Sequence, residues 1–299
     1  MPITIQPLAE SIGAEIIGLD LTQPASDADK RAVREAWQKH LVLVIRGQNI
    51  KQDEHIAFAR ILGQLDVDNP NTVFGDGKRP EIFVLTNETK DGKPSETRDI
   101  GWQWHADLTY TTRPSAGAVL HAISIPERGG DTMFCNMQKA YETLSDKYKS
   151  FLREAEAIHD ITNGQWFNKR DVKTIEAFAS KNRPVVQPMV SIHPESGRPS
   201  LLIGETAVSQ IVGMTVAESA PILSYLTQHA TQPEFVYRHN WKVGDLLVWD
   251  NRCTMHKVVA DHSEVAEPGS QGQIRRMHRV TLLGLPSGRA LQSADMIAA

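Results

Sequence analysis

Short apolar runs, each closed by a turn, recur along this chain and set its architecture. Leu41-Val42-Leu43-Val44-Ile45 is continuously apolar and stops at Arg46-Gly47-Gln48, the pattern of a buried strand followed by a turn. Strand-like runs follow at Gly117 to Ile125, Pro184 to His193, Leu201 to Ile203, Glu234 to His239, Asp245 to Trp249 and Arg275 to Leu283. Turns fall between them at Glu127-Arg128-Gly129-Gly130, Pro194-Glu195-Ser196-Gly197 and Val243-Gly244-Asp245. Many short strands separated by turns predict a sandwich or barrel. Helical periodicity interrupts them. Ser26 to Asp29 reads as a capping box before a helix with Val33, Ala36, Trp37 and Leu41 on one face. Another helix starts after Asp53, and further helical patterns fall near 137 to 156 and 216 to 230. No repeat and no composition break divides the chain, so one domain over residues 1–299 is expected. Residues 68 to 103 are rich in Asn, Asp, Gly, Pro and Lys, with Ile82-Phe83-Val84-Leu85 as an island strand. So long a polar stretch predicts an active-site lid.

Composition narrows the partners. The net charge is −4 and no long Lys/Arg run occurs, so nucleic acid is not an expected partner. The apolar runs fall far short of the roughly 20 residues that a bilayer span needs. The first residues lack the basic start and continuous apolar core of a signal peptide. The two cysteines, Cys135 and Cys253, could form one disulfide but not a secreted framework. They are expected as reduced thiols in a cytoplasmic enzyme.

Trp104-His105-Ala106-Asp107 carries the first chemistry. In a strand, residues two apart share a face, so His105 and Asp107 can bind one metal ion together. With eleven histidines in the chain, His-x-Asp arises readily by chance, and the pair needs company. A candidate third ligand is His256, in Trp249-Asp250-Asn251-Arg252-Cys253-Thr254-Met255-His256. Two histidines and a carboxylate form the facial triad of non-haem iron oxygenases, which leaves adjacent positions open for a chelating cosubstrate and O2. Metal-ligand logic alone does not single out His256, and two His with one carboxylate could also serve a zinc hydrolase. In Arg275-Arg276-Met277-His278-Arg279, strand alternation puts Arg275, Met277 and Arg279 on one face and Arg276 and His278 on the other. Two guanidinium groups roughly 13 Å apart along one strand face suit carboxylate recognition, though a solvated charged strand would read the same. Gly129-Gly130-Asp131-Thr132 permits a tight turn with positive φ. There Thr132 can donate to an anion, or the turn can be an ordinary hairpin.

Together these stretches resemble the taurine dioxygenase / 2,4-dichlorophenoxyacetate dioxygenase family of iron enzymes. The likeness runs from Ile12-Gly13-Ala14-Glu15 and Leu43-Val44-Ile45-Arg46-Gly47-Gln48 to Arg279. Its most specific parts are Gly129 to Cys135 and Glu234-Phe235-Val236-Tyr237-Arg238-His239 through Cys253, both nearest the phenoxyacetate branch. The resemblance implies a mainly β protein, a double-stranded β-helix (jelly-roll) core with flanking helices. It implies Fe(II) held by His105, Asp107 and His256, with 2-oxoglutarate and O2 as cosubstrates. Arg275 and Thr132 are then expected at the distal carboxylate of 2-oxoglutarate. Arg279 is expected near the substrate's anionic group or the keto-acid end of the cosubstrate. Trp249 through Arg252 would support the site from behind. The implied reaction hydroxylates a small organic acid and releases succinate and CO2, and the carboxylate of Asp107 argues against a halogenating relative.

Two departures bear on the substrate. Asp68 falls at or near the place where taurine dioxygenases hold sulfonate with a histidine, and Gly101 stands where an asparagine is expected. Both argue against taurine, so an aryloxyalkanoate-like carboxylate is the favoured substrate. Asp68, Trp102 and Phe74 are candidate pocket residues. The alternatives are an alkylsulfonate or sulfate-ester dioxygenase of the same family and a non-catalytic jelly-roll binding protein. A homo-oligomer, dimer or tetramer, is the expected assembly.

Overall fold

A computed structural model describes residues 3–71, 75, 78–292 and 295. The chain runs from the hairpin β1 (Thr4–Pro7) and β2 (Ala14–Ile17) through α1 (Asp27–His40), β3 (Val42–Ile45) and α2 (Gln52–Leu62) to β4 (Phe83–Thr86). β5 (Gly117–Ser124) and β6 (Thr132–Asn136) follow, then α3 (Met137–Thr143), α4 (Asp146–Glu154), β7 (Glu156–His159) and α5 (Val172–Lys181). Short strands β8 (Val185–Pro188), β9 (Val190–Ile192), β10 (Pro199–Leu201) and β11 (Val208–Ile211) lead to α6 (Val216–Ala230). β12 (Val236–His239), β13 (Leu246–Asp250), β14 (Thr254–Val258), β15 (Arg276–Leu282) and β16 (Arg289–Ala290) come last.

Two sheets carry the architecture. The larger has the order β1-β2-β3-β13-β5-β15-β4, antiparallel except for the parallel β2–β3 pair. The smaller is β12-β6-β14. Side-chain alternation explains how they pack. Leu246 and Val248 of β13 join Leu43, Ile45 and Val119 beneath Val33, Trp37 and Ile56 of the first two helices. The alternate residues Leu247 and Trp249 turn inward with Val42, Val44, Leu120, Phe134 and Met277, filling the space between the sheets. Behind the smaller sheet, Cys135 and Met255 pack on Met137, Ala140, Leu152 and Leu226. The core is a jelly roll with helices on its outer faces, and no helix among the described residues is long and apolar enough to cross a membrane.

Local signals account for most element ends. The Ser26 hydroxyl accepts from the Asp29 N–H at 3.1 Å and caps α1, a contact worth about 1 kcal/mol. Leu41 departs from expectation. It ends α1 in the left-handed conformation, φ 64°, and its side chain enters the inter-sheet core instead of the helix face. The helical pattern near 137 to 156 is two helices, broken where Ser145 caps α4. The run at Leu201 to Ile203 is shifted to β10, and Pro233–Phe235 is a 3-10 turn preceding β12. The island strand is no island: as β4 it pairs with β15 at the edge of the larger sheet.

Candidate active site

His105 and Asp107 come together without the strand that the sequence suggests. The extended conformation is limited to one β-bridge, where the His105 N–H donates to the His256 carbonyl at 3.1 Å and the His256 N–H returns the bond at 2.8 Å. Asp107 already belongs to the following turn, and its own N–H donates to Asn251 Oδ1 at 3.1 Å. The bridge attaches the His105 loop to the edge of the smaller sheet beside β14. Nε2 of His105 and Nε2 of His256 each lie 3.9 Å from an Asp107 carboxylate oxygen, and one ligand atom from each residue fits within 4.8 Å of the others.

The surroundings prepare these groups for a cation. His105 Nδ1 donates to the Gln103 carbonyl at 2.7 Å, which leaves the Nε2 lone pair toward the cluster. The His256 ring is stacked on Phe134 and packed against Trp249. Burial, with His105 beside it, holds His256 well below the ordinary imidazole range, so it is neutral and able to ligate. Burial alone would raise the Asp107 carboxyl. The Arg279 guanidinium outweighs it, helped by the two histidines and Asn251, and holds the carboxyl well below the usual range. Asn251 is itself fixed: it accepts from Trp249 Nε1 at 2.9 Å and donates to Asp107 Oδ2 at 3.1 Å and to the Ser115 hydroxyl at 3.2 Å. Two neutral imidazoles and one ionised carboxylate converging in this way fit a divalent iron.

An anion site adjoins. Arg275 is buried, with its backbone N–H on Asn87 Oδ1 at 2.8 Å and Nε on the Gly130 carbonyl at 3.1 Å. Its Nη2 has no hydrogen-bond partner among the described residues. Burial without a contacting carboxylate pulls this guanidinium down to about 10, a cost that an anionic ligand would relieve. Gly129 and Gly130 both have positive φ, 75° and 74°, and a Cβ on Gly130 would lie 3.1 Å from Arg275 Cδ. The turn therefore needs glycine both for its backbone and for the arginine that crosses it. Thr132 accepts from Trp241 Nε1 at 2.9 Å, which leaves its hydroxyl proton to donate into the same cavity. Thr132, Arg275, Arg279, His105 and His256 line this cavity together. The buried unpaired cation and the hydroxyl fit a dicarboxylate such as 2-oxoglutarate.

On the other side of the triad lies a more apolar cavity, walled by Tyr110, Trp166, Phe167, Phe178, Ile203 and Ala207. Arg279 stands between the two cavities and lines both. It donates from Nη1 to Asp107 Oδ1 at 2.8 Å, a partner that sequence reasoning missed, and its Nε and Nη2 have no partner among the described residues. Ile100 and Gly101 also border both spaces. Gly101 has φ +84°, a conformation that strains residues with a side chain, and a Cβ there would be in ordinary contact with His105 Cε1 at 3.5 Å.

Not every candidate is brought to the site. Trp102 lines the Arg275 cavity, not the apolar one, with Lys169 Nζ 5.0 Å from its ring centre. Asp68 is exposed and lines neither cavity, which removes it from the substrate argument. The local pattern from Gly63 to Asp68 carries no signal for which side chain faces inward, and it is Asn71, three residues beyond, that lines the apolar cavity. Phe74 lies outside the described residues. Of the expected lid, Asn71, Leu85 to Asn87, Thr97, Arg98 and Ile100 to Trp102 line the cavities, with Leu85 and Thr86 doing so from β4 at the edge of the sheet. A second group, His193, Asp250 and Cys253, is no rival metal centre. His193 Nδ1 accepts from the N–H groups of Glu195 and Ser196, its Nε2 donates to Asp250, and Asp250 is paired with Arg252.

Residues 4–281 match the model of a family described as "Taurine catabolism dioxygenase TauD, TfdA family". The chain is 37% identical over 269 residues to an alpha-ketoglutarate-dependent 2,4-dichlorophenoxyacetate dioxygenase of Burkholderia sp. (strain RASC), covering 86% of this chain and 89% of the relative. It is 32% identical over 299 residues to the (S)-phenoxypropionate/alpha-ketoglutarate-dioxygenase of Delftia acidovorans, covering 95% and 96%. Among solved structures, AAD-2 in complex with Mn(II) and N-oxalylglycine superimposes with a TM-score of 0.81 at 31% identity, covering 98% of this chain and 100% of that one.

Proposed function

The chain belongs to the TauD, TfdA family and is a 2-oxoglutarate-dependent non-haem iron dioxygenase, and we propose that it hydroxylates a small carboxylic acid bearing an apolar aromatic group, of the aryloxyalkanoate type. The observation that carries this reading is the cavity of Tyr110, Trp166, Phe167 and Phe178, which is also lined by His105, Asp107 and Arg279. An aromatic ring is held by such walls through burial, about 25 cal/mol per Å² of apolar surface, while the cation meets the acid group. The relatives named for phenoxyacetate and phenoxypropionate support the same class. With Asp68 at the surface, the argument against taurine rests on this lining and on Gly101.

The residues divide the work. His105, Asp107 and His256 hold the iron, Arg275 and Thr132 take the distal carboxylate of 2-oxoglutarate, and Arg279 faces the substrate side. When bound there, Fe(II) with 2-oxoglutarate and O2 supplies the oxidising power for C–H hydroxylation, with release of succinate and CO2. Trp249 and Asn251 keep Asp107 oriented, and the apolar walls exclude water from the space where the substrate's C–H bond is presented. The buried free thiols of Cys135 and Cys253 support a cytoplasmic location, and a homo-oligomer remains part of the reading, to be checked by light scattering.

Succinate release from 2-oxoglutarate, measured with phenoxyacetate, taurine and a medium-chain alkyl sulfate under identical iron, tests the substrate class. Phenoxyacetate is expected to give the highest kcat/KM. A clear preference for taurine or for the sulfate ester would overturn the reading in favour of the sulfonate or sulfate-ester branch.

A further inference from the structure

One polar group in the apolar cavity is left without a task by the roles assigned so far. Tyr110 is 8% exposed and lines the cavity with Arg279 and Asp107, and no described residue makes a hydrogen bond to its hydroxyl. Buried tyrosines usually find a partner for that group, so an idle one facing a cavity marks a place where a ligand supplies it.

The position is built, not incidental. Tyr110 follows the ligand Asp107 across a tight turn whose second residue, Leu108, has φ +60°, a conformation that non-glycine residues seldom adopt. The turn is held on both sides. Asn251 takes the Asp107 N–H, and the fully buried amide of Gln187 donates to the Thr109 carbonyl at 3.0 Å and the Thr111 carbonyl at 2.8 Å. Those two carbonyls flank Tyr110. Gln187 is anchored in turn by the Ser287 hydroxyl at 2.8 Å. Burial raises the phenol well above its usual range against the opposing pull of Arg279, so the hydroxyl stays a neutral donor. Beside it, Arg279 keeps Nε and Nη2 buried and unpartnered among the described residues.

We propose that Tyr110 is a specificity-determining residue. Its O–H and the spare N–H groups of Arg279 together grip the substrate's carboxylate, while Phe178, Trp166 and Phe167 receive the apolar end. A carboxylate accepting from both donors pairs the Tyr110 hydroxyl with the Nε and Nη2 groups of Arg279, whereas a neutral analogue leaves Arg279 with its Asp107 contact alone. The inference rests on the arylcarboxylate reading above.

The test compares wild type with Tyr110→Phe, which keeps the ring, using phenoxyacetate and anisole (the same ring and ether without the acid). The variant is expected to raise KM for phenoxyacetate about tenfold or more, the loss of one charge-assisted hydrogen bond. Its kcat should stay within about twofold, as for an interaction made equally in the ground and transition states. Succinate release stimulated by anisole should be the same in both proteins. An unchanged KM for phenoxyacetate overturns the proposal, and so does an equal loss with anisole, which would make Tyr110 a packing residue. Wild type inactive toward every arylcarboxylate overturns the substrate reading and the inference with it, a failure told apart because it appears before any substitution.

Discussion

Arg279 donates from Nη1 to Asp107 Oδ1 at 2.8 Å, and both residues are almost wholly buried. The pair spans 172 residues of sequence and places a fixed positive charge against the carboxylate of the proposed iron-binding cluster. The Arg279 guanidinium is the cation that offsets the Asp107 charge most strongly. Replacing it by an apolar side chain strands a buried anion, which costs on the order of 3–5 kcal/mol. Arg279→Met should therefore lower the stability of metal-free protein by about that amount in urea denaturation. Saturating Mn(II) should narrow the gap, since the ion restores the missing charge. A loss well below 1 kcal/mol would show that the pair contributes little.

The proposed cosubstrate site separates two neighbouring arginines. Arg275 points inward with an unpartnered Nη2, whereas Arg276 points outward and is paired with Glu88. Arg275→Ala should weaken 2-oxoglutarate binding by roughly 2–5 kcal/mol, the range for a buried charge pair. Arg276→Ala should leave it nearly unchanged. Isothermal titration of Mn(II)-loaded protein with 2-oxoglutarate reads both, and the opposite pattern would put the strand out of register by one.

Asn251 connects Trp249, Ser115 and both the backbone and carboxylate of Asp107. Asn251→Ala leaves all three ligands present but frees the orientation of one. Metal affinity should fall about 10- to 100-fold, the usual effect of losing an outer contact to a ligand. Competition with a fluorescent chelator measures it, and wild-type affinity would show that the turn alone orients Asp107.

Acid should destabilise the fold through histidines held neutral inside it. Burial lowers His55 and His159 to about 3 from an ordinary value of 6.5. Both nitrogens of His159 lack a partner among the described residues. The folded state thus binds fewer protons than the unfolded chain between these values. The stability is fully present above about 6.5 and is lost as pH falls toward 3, by up to roughly 1.4 kcal/mol per pH unit for each histidine. His159→Phe should flatten the decline between pH 6 and 4.5 in urea denaturation. An identical slope in wild type and variant would count against a neutral buried His159.

What the sequence made legible follows from how local each signal is. Strand alternation grouped Arg275, Met277 and Arg279 on one face and Arg276 on the other, and the structure buries the first group even though β15 is assigned from Arg276 and carries an irregularity between Arg276 and Met277. The helix from Ser26 was equally readable, because its cap and apolar face are local. β6 and β14 were not, although they carry Thr132 and His256. Thr132-Met133-Phe134-Cys135-Asn136 packs against the larger sheet on one face and helices on the other, so no polar alternation survives to mark it. His256 needed the family resemblance, since its place beside His105 comes from a bridge between distant segments. Asp68 was misplaced because an aligned position is not a direction in space.

The central claim is that His105, Asp107 and His256 hold iron beside a 2-oxoglutarate bound through Arg275. The most direct test is an anaerobic titration of Fe(II) protein with 2-oxoglutarate, followed by visible absorption. The account predicts a weak charge-transfer band of the chelated keto acid in wild type. It predicts no band in His105→Ala or His256→Ala, and a band in Arg275→Ala only at much higher 2-oxoglutarate. A wild-type band and wild-type iron affinity in either histidine variant would contradict it.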